Sequence, residues 1–76
     1  MRKELLLHAA EEAVELSQAL LKLARGDGPK SAVADEAADI TALIVLVGEA
    51  GVIESGRFNR RHQAKLTKFR RKYIGR

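Results

Sequence analysis

A chain of 76 residues without cysteine forms at most one domain and contains no disulfide framework, thiolate metal site or cysteine nucleophile. Alanine and leucine are frequent, aromatic residues make up 4% of the chain and strand patterns are weak, so we expect an all-α protein. The net charge of +4 is unevenly divided, because residues 1–56 hold ten acidic and five basic residues, whereas residues 57–76 hold nine basic residues and no acidic one. The sequence therefore predicts an acidic body followed by a basic segment.

The apolar stretches are too short for a membrane protein. The longest, residues 40–47, is far below the roughly 20 residues that span a bilayer. At the N-terminus, the acidic Glu4 stands directly before three leucines and no signal-like cleavage site follows. We therefore expect a soluble, cytoplasmic protein without a membrane partner. Because so short a chain buries little surface alone, we also expect a homodimer or homotetramer whose helices pack into four-helix bundles.

The first predicted helix covers about residues 3–24. Its apolar residues recur at spacings of three and four, as one face of a helix requires. The main seam consists of Leu6, Ala9, Ala13, Leu16, Leu20 and Leu23. An overlapping stripe consists of Leu5, Glu12, Leu16, Ala19 and Leu23. Glu12 is therefore expected at the edge of the packed face with Glu15 beside it, whereas Glu11 points towards water.

A short turn and a second helix follow. Gly26 suits the left-handed position that ends a helix, and Pro29 suits the beginning of the next one. The second predicted helix covers about residues 30–49 and is expected to lie antiparallel to the first. Its apolar register includes two acidic residues and consists of Glu36, Asp39, Ile40, Leu43, Leu46 and Val47.

The third predicted helix covers about residues 57–74 and is basic. Gly48, Gly51 and Gly56 interrupt the preceding pattern, and Ser55 is a candidate N-cap. The apolar stripe of this helix is expected in the core or between subunits and consists of Phe58, His62, Leu66, Phe69 and Tyr73. The neighbouring stripe consists of Arg61, Lys65, Lys68 and Lys72. We treat residues 1–76 as one domain, a helical hairpin followed by a basic helix.

Four carboxylates lie in or beside the apolar register of the hairpin. Burying a carboxylate is costly unless a cation or hydrogen-bond donors compensate it. Glu12 with Glu15, and Glu36 with Asp39, are spaced i and i+3, so each pair projects to one side of its helix. Two antiparallel helices can place these pairs face to face, and a set of oxygen ligands favours Mg²⁺ before Mn²⁺ or Ca²⁺. Because Mg²⁺ commonly binds phosphate oxygens as well, we expect a phosphate ester or anhydride as substrate.

Three segments carry a resemblance to a known family. The stretch EEAVE at residues 11–15 and the stretch EAAD at residues 36–39 resemble the EExxE and ExxD motifs of the MazG-like, all-α nucleoside triphosphate pyrophosphohydrolases. The stretch KLTKFRRKY at residues 65–73 is similar to the basic KLxxNRxKY type of segment on a later helix of that family. The resemblance extends from about residue 10 to residue 73.

The resemblance implies hydrolysis of a nucleoside triphosphate between its α and β phosphates, giving the monophosphate and pyrophosphate. Mg²⁺, with Mn²⁺ as an alternative, would be held by Glu12, Glu15, Glu36 and Asp39 and would activate water. A general base for that water is expected at Glu12 or Glu15. Lys65 is the expected catalytic cation for the departing pyrophosphate. The phosphate-binding residues implied by the resemblance are Arg61, Lys65, Lys68 and Lys72.

Two other functions fit parts of the sequence. A basic helix is also typical of nucleic-acid-binding or regulatory proteins, and a structural oligomer could pair its acidic residues with the basic segment. Nucleic-acid binding gives no reason for acidic residues in the apolar register, so we expect the enzyme. His8, one turn before Glu12, could reach the site but is interpreted as structural. Lys22 and Arg25 are interpreted as cations that suit the end of the first helix, although either could also reach a phosphate.

Overall fold

The computed structural model describes residues 2–75, which form three helices and no strand. These are α1 (Arg2–Ala24), α2 (Lys30–Glu49) and α3 (Ser55–Tyr73). The prediction of an all-α protein is confirmed, and the predicted helix bounds differ from these by two residues at most. Over the same residues, no helix combines the length and apolar composition needed to cross a membrane.

Two glycines in the left-handed conformation end α1 and α2. Gly26 has φ +80° and Gly51 has φ +78°. The Gly26 N–H donates to the Leu23 carbonyl oxygen (3.0 Å), and the Asp27 N–H donates to the Lys22 carbonyl oxygen (3.0 Å). This pair of bonds satisfies carbonyls that the end of a helix leaves free. The predicted role of Gly26 is therefore confirmed, and residues 25–29 turn the chain back on itself.

The start of α3 differs from the prediction. Ser55 is already helical, and Glu54 is the N-cap, its carboxylate accepting a hydrogen bond from the Arg57 N–H at 3.2 and 3.1 Å. The prediction of Ser55 as the N-cap is therefore wrong. The Glu54 carboxylate satisfies a free backbone N–H and also interacts favourably with the positive end of the helix dipole. Gly48 lies inside α2 and Gly56 inside α3. The sequence pattern had placed both among the residues that interrupt the helices.

The hairpin of α1 and α2 packs through the stripe that contains Glu12. The α1 residues of this stripe are buried or half-buried and are Leu5, Ala9, Glu12, Leu16, Ala19 and Leu23. The buried or half-buried α2 residues are Ala32, Val33, Glu36, Ala37, Ile40, Leu43 and Val47. Leu6 and Leu20 of the other predicted α1 seam are exposed, as is Leu46 of α2. The contact between the two helices is therefore narrower than the sequence pattern suggested.

α3 diverges from the hairpin. Within residues 2–75, α1 and α2 pack together, whereas α3 packs against neither helix to a comparable extent and has no buried residue. Its aromatic residues contact each other, with Phe58 stacked on His62 (5.7 Å between ring centroids) and Phe69 tilted against Tyr73 (6.5 Å). The expected core contacts of this stripe do not form within one chain, and contacts between subunits stay a prediction.

The described part of the chain is thin along one direction. Its principal extents are 38 × 29 × 13 Å. In the described part of the chain, the only buried apolar residues are Ala9, Ala19 and Val47. Most apolar side chains of the described residues are therefore at least partly exposed.

Candidate metal centre

Three acidic side chains meet along one side of the contact between α1 and α2. One carboxylate oxygen from each of Glu12, Glu15 and Glu36 lies within 4.8 Å of the other two. Glu12 and Glu15 are one turn apart on α1, and the antiparallel α2 places Glu36 opposite them. Two oxygens bound to the same Mg²⁺ at about 2.1 Å are at most about 4.2 Å apart. Small side-chain rotations would therefore allow the three oxygens to bind one ion. The structure thus brings together three of the four predicted metal ligands.

The cluster is electrostatically unfavourable without a cation. Glu12 Oε2 and Glu36 Oε2 are buried and, among residues 2–75, have no hydrogen-bond partner. Burial raises the pKa of Glu12 above its ordinary value of 4.5, and the charge and hydrogen bond of Glu15, followed by the charges of Asp39 and Glu36, raise it further. A buried oxygen without a partner is costly, and a hard divalent cation would supply both the partner and the opposite charge. The donor set fits Mg²⁺ or Mn²⁺.

Other polar residues border the three carboxylates. Asp39, the fourth predicted ligand, is exposed and lies outside the group of three, although its charge acts on Glu12. His8 Nε2 lies 3.5 Å from Glu12 Oε1, so His8 reaches the site, as its position one turn before Glu12 allowed. Glu11 is exposed, as predicted, and shares a pocket of about 440 Å³ with Glu12 and Glu15.

Lys22 is a basic residue close to the cluster. It lines a pocket of about 190 Å³ together with Glu15 and Glu36, and it forms no ion pair within the described residues. The sequence interpretation assigned Lys22 to the helix dipole and left open that it reaches a phosphate. Lys22 is seven residues from Glu15, and residues seven apart lie on the same side of a helix. Lys22 is therefore placed to meet an anion bound beside the carboxylates.

The basic residues of α3 lie apart from the carboxylates in a single chain. Arg61 and Lys65 line an open pocket of about 370 Å³ with Phe58, and this pocket shares no residue with the pockets beside the acidic cluster. The Lys65 amine lies 5.8 Å from the centroid of the Phe69 ring. Because α3 packs against α1 far less than α2 does over the described residues, we expect a phosphate at the carboxylates to meet Lys65 of another copy, or Lys65 of the same chain after a change in the direction of α3.

Glu12→Gln is expected to stabilise the metal-free protein at pH 7. The raised pKa of Glu12 means that the folded state binds a proton more tightly than the unfolded state does. The resulting stability is present below pH 4.5 and is lost as the pH rises through the raised pKa, where the charged Glu12 opposes folding. Glutamine retains the shape and removes the charge, so the variant should unfold at a higher temperature at pH 7, by a margin that shrinks towards pH 4.

Thermal unfolding followed by circular dichroism in EDTA measures this difference. Glu11→Gln is the matched control, because Glu11 is exposed and has no assigned role in the cluster; its unfolding temperature should stay close to the wild-type value. Mg²⁺ should then raise the unfolding temperature of the wild type more than that of Glu12→Gln. Equal stability of Glu12→Gln and wild type at pH 7 would contradict an unfavourable charge at Glu12.

Comparisons with known proteins give no independent assignment of this centre. The chain matches no family model, no curated protein and no solved structure. The resemblance to the MazG-like family therefore rests on the motif residues themselves, of which Glu12, Glu15 and Glu36 are the ones that the fold brings together.

Proposed function

We propose that this protein is a Mg²⁺-dependent, MazG-like nucleoside triphosphate pyrophosphohydrolase that acts as a homodimer or homotetramer. It would cleave the bond between the α and β phosphates and release a nucleoside monophosphate and pyrophosphate. The observation that carries the proposal is the meeting of Glu12, Glu15 and Glu36, with two buried oxygens that lack partners. These residues come from the two motifs that resemble the family, and their chemistry fits a cation that also binds phosphate.

The residues of the chain divide into two roles in this proposal. Glu12, Glu15 and Glu36 would hold the cation, with Asp39 at the edge of the site. Mg²⁺, when bound, would neutralise phosphate charge and activate water. Glu12 or Glu15 is also the proposed general base for that water, through a carboxylate oxygen that the cation leaves free. The cations proposed to bind the phosphates are Lys22, Arg61, Lys65, Lys68 and Lys72.

The direct test incubates the protein with each common nucleoside triphosphate and Mg²⁺ and resolves the phosphorus products by NMR. We expect pyrophosphate and a nucleoside monophosphate in equal amounts, and no turnover in EDTA. Release of orthophosphate as the primary product, or no turnover with any triphosphate, would count against the proposal. Inorganic pyrophosphatase must be shown to be absent from the preparation, because it would convert the expected product into orthophosphate.

A second candidate function is nucleic-acid binding by α3. It is favoured by the exposure of this helix, whose described residues make little contact with the hairpin while carrying most of the basic charge. Binding of this kind weakens steeply with salt because it releases counterions from phosphates. Salt-dependent binding of DNA or RNA that persists in EDTA, in a protein without triphosphate hydrolysis, would favour this function over the enzyme.

A further inference from the structure

An open pocket at the start of α3 combines a flat aromatic surface with positive charge. Its volume is about 370 Å³, within the range of about 300–1,000 Å³ that is typical of small-molecule sites. The Phe58 ring is 44% exposed and stacks on the His62 ring at an interplanar angle of 28°. The other residues that line the pocket are Ile53, Glu54, Arg57, Arg61 and Lys65. The pocket therefore offers a stacking surface beside three cations.

The three cations follow one another along a single flank of α3. Arg57, Arg61 and Lys65 are spaced by four residues, so they lie in successive turns of the helix. None of them forms an ion pair within residues 2–75. Lys65 lies about 10.5 Å beyond Phe58 along the helix axis and on nearly the same side. A ligand with a flat ring at one end and phosphates at the other can therefore contact Phe58 and these cations at the same time.

The end of the pocket nearest the start of α3 carries a negative charge. Glu54 lines the pocket, and its carboxylate is held there because it accepts a hydrogen bond from the Arg57 N–H at 3.1 Å. A nucleic-acid strand carries phosphates on both sides of each base, so a strand stacked on Phe58 would bring one phosphate towards this carboxylate. A mononucleotide carries its phosphates on one side only and avoids this repulsion. The charges of the pocket therefore favour a mononucleotide over a strand.

We propose that this pocket binds the nucleoside end of a nucleoside triphosphate, with the base stacked on Phe58 and the phosphates extending past Arg61 towards Lys65. Every base has a flat face that can stack on an aromatic ring, so Phe58 contributes affinity without strict selection among the bases. The inference rests on the proposed function only in taking this nucleotide to be the substrate. Phe58 is then a substrate-binding residue on the helix that also carries the proposed phosphate-binding cations.

Nucleotide binding in EDTA tests this pocket separately from hydrolysis. Without a divalent cation the carboxylate cluster repels phosphates, so the cations of α3 are left to bind them. We expect Phe58→Leu to bind ATP about tenfold more weakly than the wild type in an NMR titration, which is the effect of losing one stacked base. Its affinity for inorganic tripolyphosphate, which has no base, should not change. An unchanged affinity for ATP, or an equal loss for both ligands, would overturn the proposal.

Phe69→Leu is the matched control. Phe69 is 47% exposed, much like Phe58, and lies about 16.5 Å further along the same side of α3. The substitution removes the same ring, and the affinity for ATP should stay close to that of the wild type. An equal loss of ATP binding in both variants would mean that bases stack along the whole helix, as on single-stranded nucleic acid, and would overturn a pocket at Phe58.

The ring protons of Phe58 give a test that needs no substitution, so the proposal stays testable if Phe58→Leu does not fold. In the wild type their NMR signals should move upfield when ATP is added in EDTA, because a stacked base shields them, and should not do so with tripolyphosphate. Absence of this shift would overturn the proposal. Hydrolysis without the shift would leave the reaction standing and remove this pocket, whereas the shift without hydrolysis would support the pocket and count against the reaction.

Discussion

Glu36→Gln is expected to lower Mg²⁺-dependent hydrolysis of the triphosphate by about a hundredfold or more, since even residues that merely orient metal ligands contribute about 10–100-fold. Glu36 is the residue through which α2 joins the cluster, and its Oε2 atom is buried without a partner. Glutamine preserves the volume of the side chain but removes the charge that would bind the cation. Because this substitution also reduces repulsion among the carboxylates, helix content should be unchanged and thermal stability in EDTA should not fall.

The control for this variant is Glu49→Gln. Glu49 also belongs to α2 and is exposed, but it is the last residue of the helix and lies outside the cluster, so activity should stay close to wild type. Asp39→Asn should have an intermediate effect, because Asp39 is near Glu12 without joining the group of three. Unfolding of Glu36→Gln would show instead that the carboxylate is structural.

Binding of Mn²⁺, measured by electron paramagnetic resonance, separates the metal site from the reaction. The wild type and Glu49→Gln should bind Mn²⁺, and Glu36→Gln should bind it at least about tenfold more weakly. If Mn²⁺ binds as expected but no triphosphate is hydrolysed, the metal centre stands and the proposed reaction is wrong. If the wild type fails to bind Mn²⁺, the metal centre itself is wrong.

Lys65→Gln is expected to reduce the rate of hydrolysis by about a hundredfold, the effect typical of removing one group that stabilises transition-state charge. Lys65 is half-buried on the apolar side of α3 and lines the same pocket as Arg61. Arg71→Gln is the matched control, because it removes the same charge from an exposed position about a third of a turn around the helix from Lys65. The two rates, measured at saturating triphosphate and Mg²⁺, should differ clearly; equal rates would remove Lys65 from the site.

Mixing two inactive variants tests whether α3 acts on its own chain. Since α3 does not pack against α1 in the described structure, we expect Glu36→Gln and Lys65→Gln chains, unfolded and refolded together, to recover activity. A mixed dimer would contain one site with both native residues, so the mixture should reach about a quarter of the wild-type rate if dimers form at random. Activity that stays at the level of the separate variants would mean that Lys65 serves the carboxylates of its own chain.

The helices and half of the site were predictable because they depend on local rules. Spacing, glycine and charge determine where each helix begins and ends, and the i, i+3 spacing brings Glu12 and Glu15 to one side of α1. Glu36, which faces Glu12 and Glu15, was predictable because the short turn makes α1 and α2 antiparallel neighbours. Asp39 shows the limit of this reasoning, because it has the same spacing from Glu36 as Glu15 has from Glu12 and yet lies outside the group of three. Spacing along one helix does not determine how far a side chain lies from the facing helix.

Contacts that depend on another surface were not predictable from the pattern. α1 has leucines at positions 5, 6 and 7 and again at 20, 21 and 23, so more than one stripe could face α2. The structure uses the stripe with Glu12 and leaves Leu6 and Leu20 exposed. In the same way, the stripe of Phe58 and Phe69 on α3 predicts burial but does not identify what covers it, and the isolated chain leaves it exposed.

The turn at residues 25–29 also determines where Glu36 lies relative to Glu12. Gly26 and Asp27 close this turn with two backbone hydrogen bonds, which fixes the level at which α2 begins its return along α1. Adding one residue to α2 ahead of Glu36 would shift that side chain by about 1.5 Å along the axis and rotate it by about 100°, enough to move it out of reach of Glu12. The register in which α2 leaves this turn is therefore coupled to the coordination chemistry about two helical turns away.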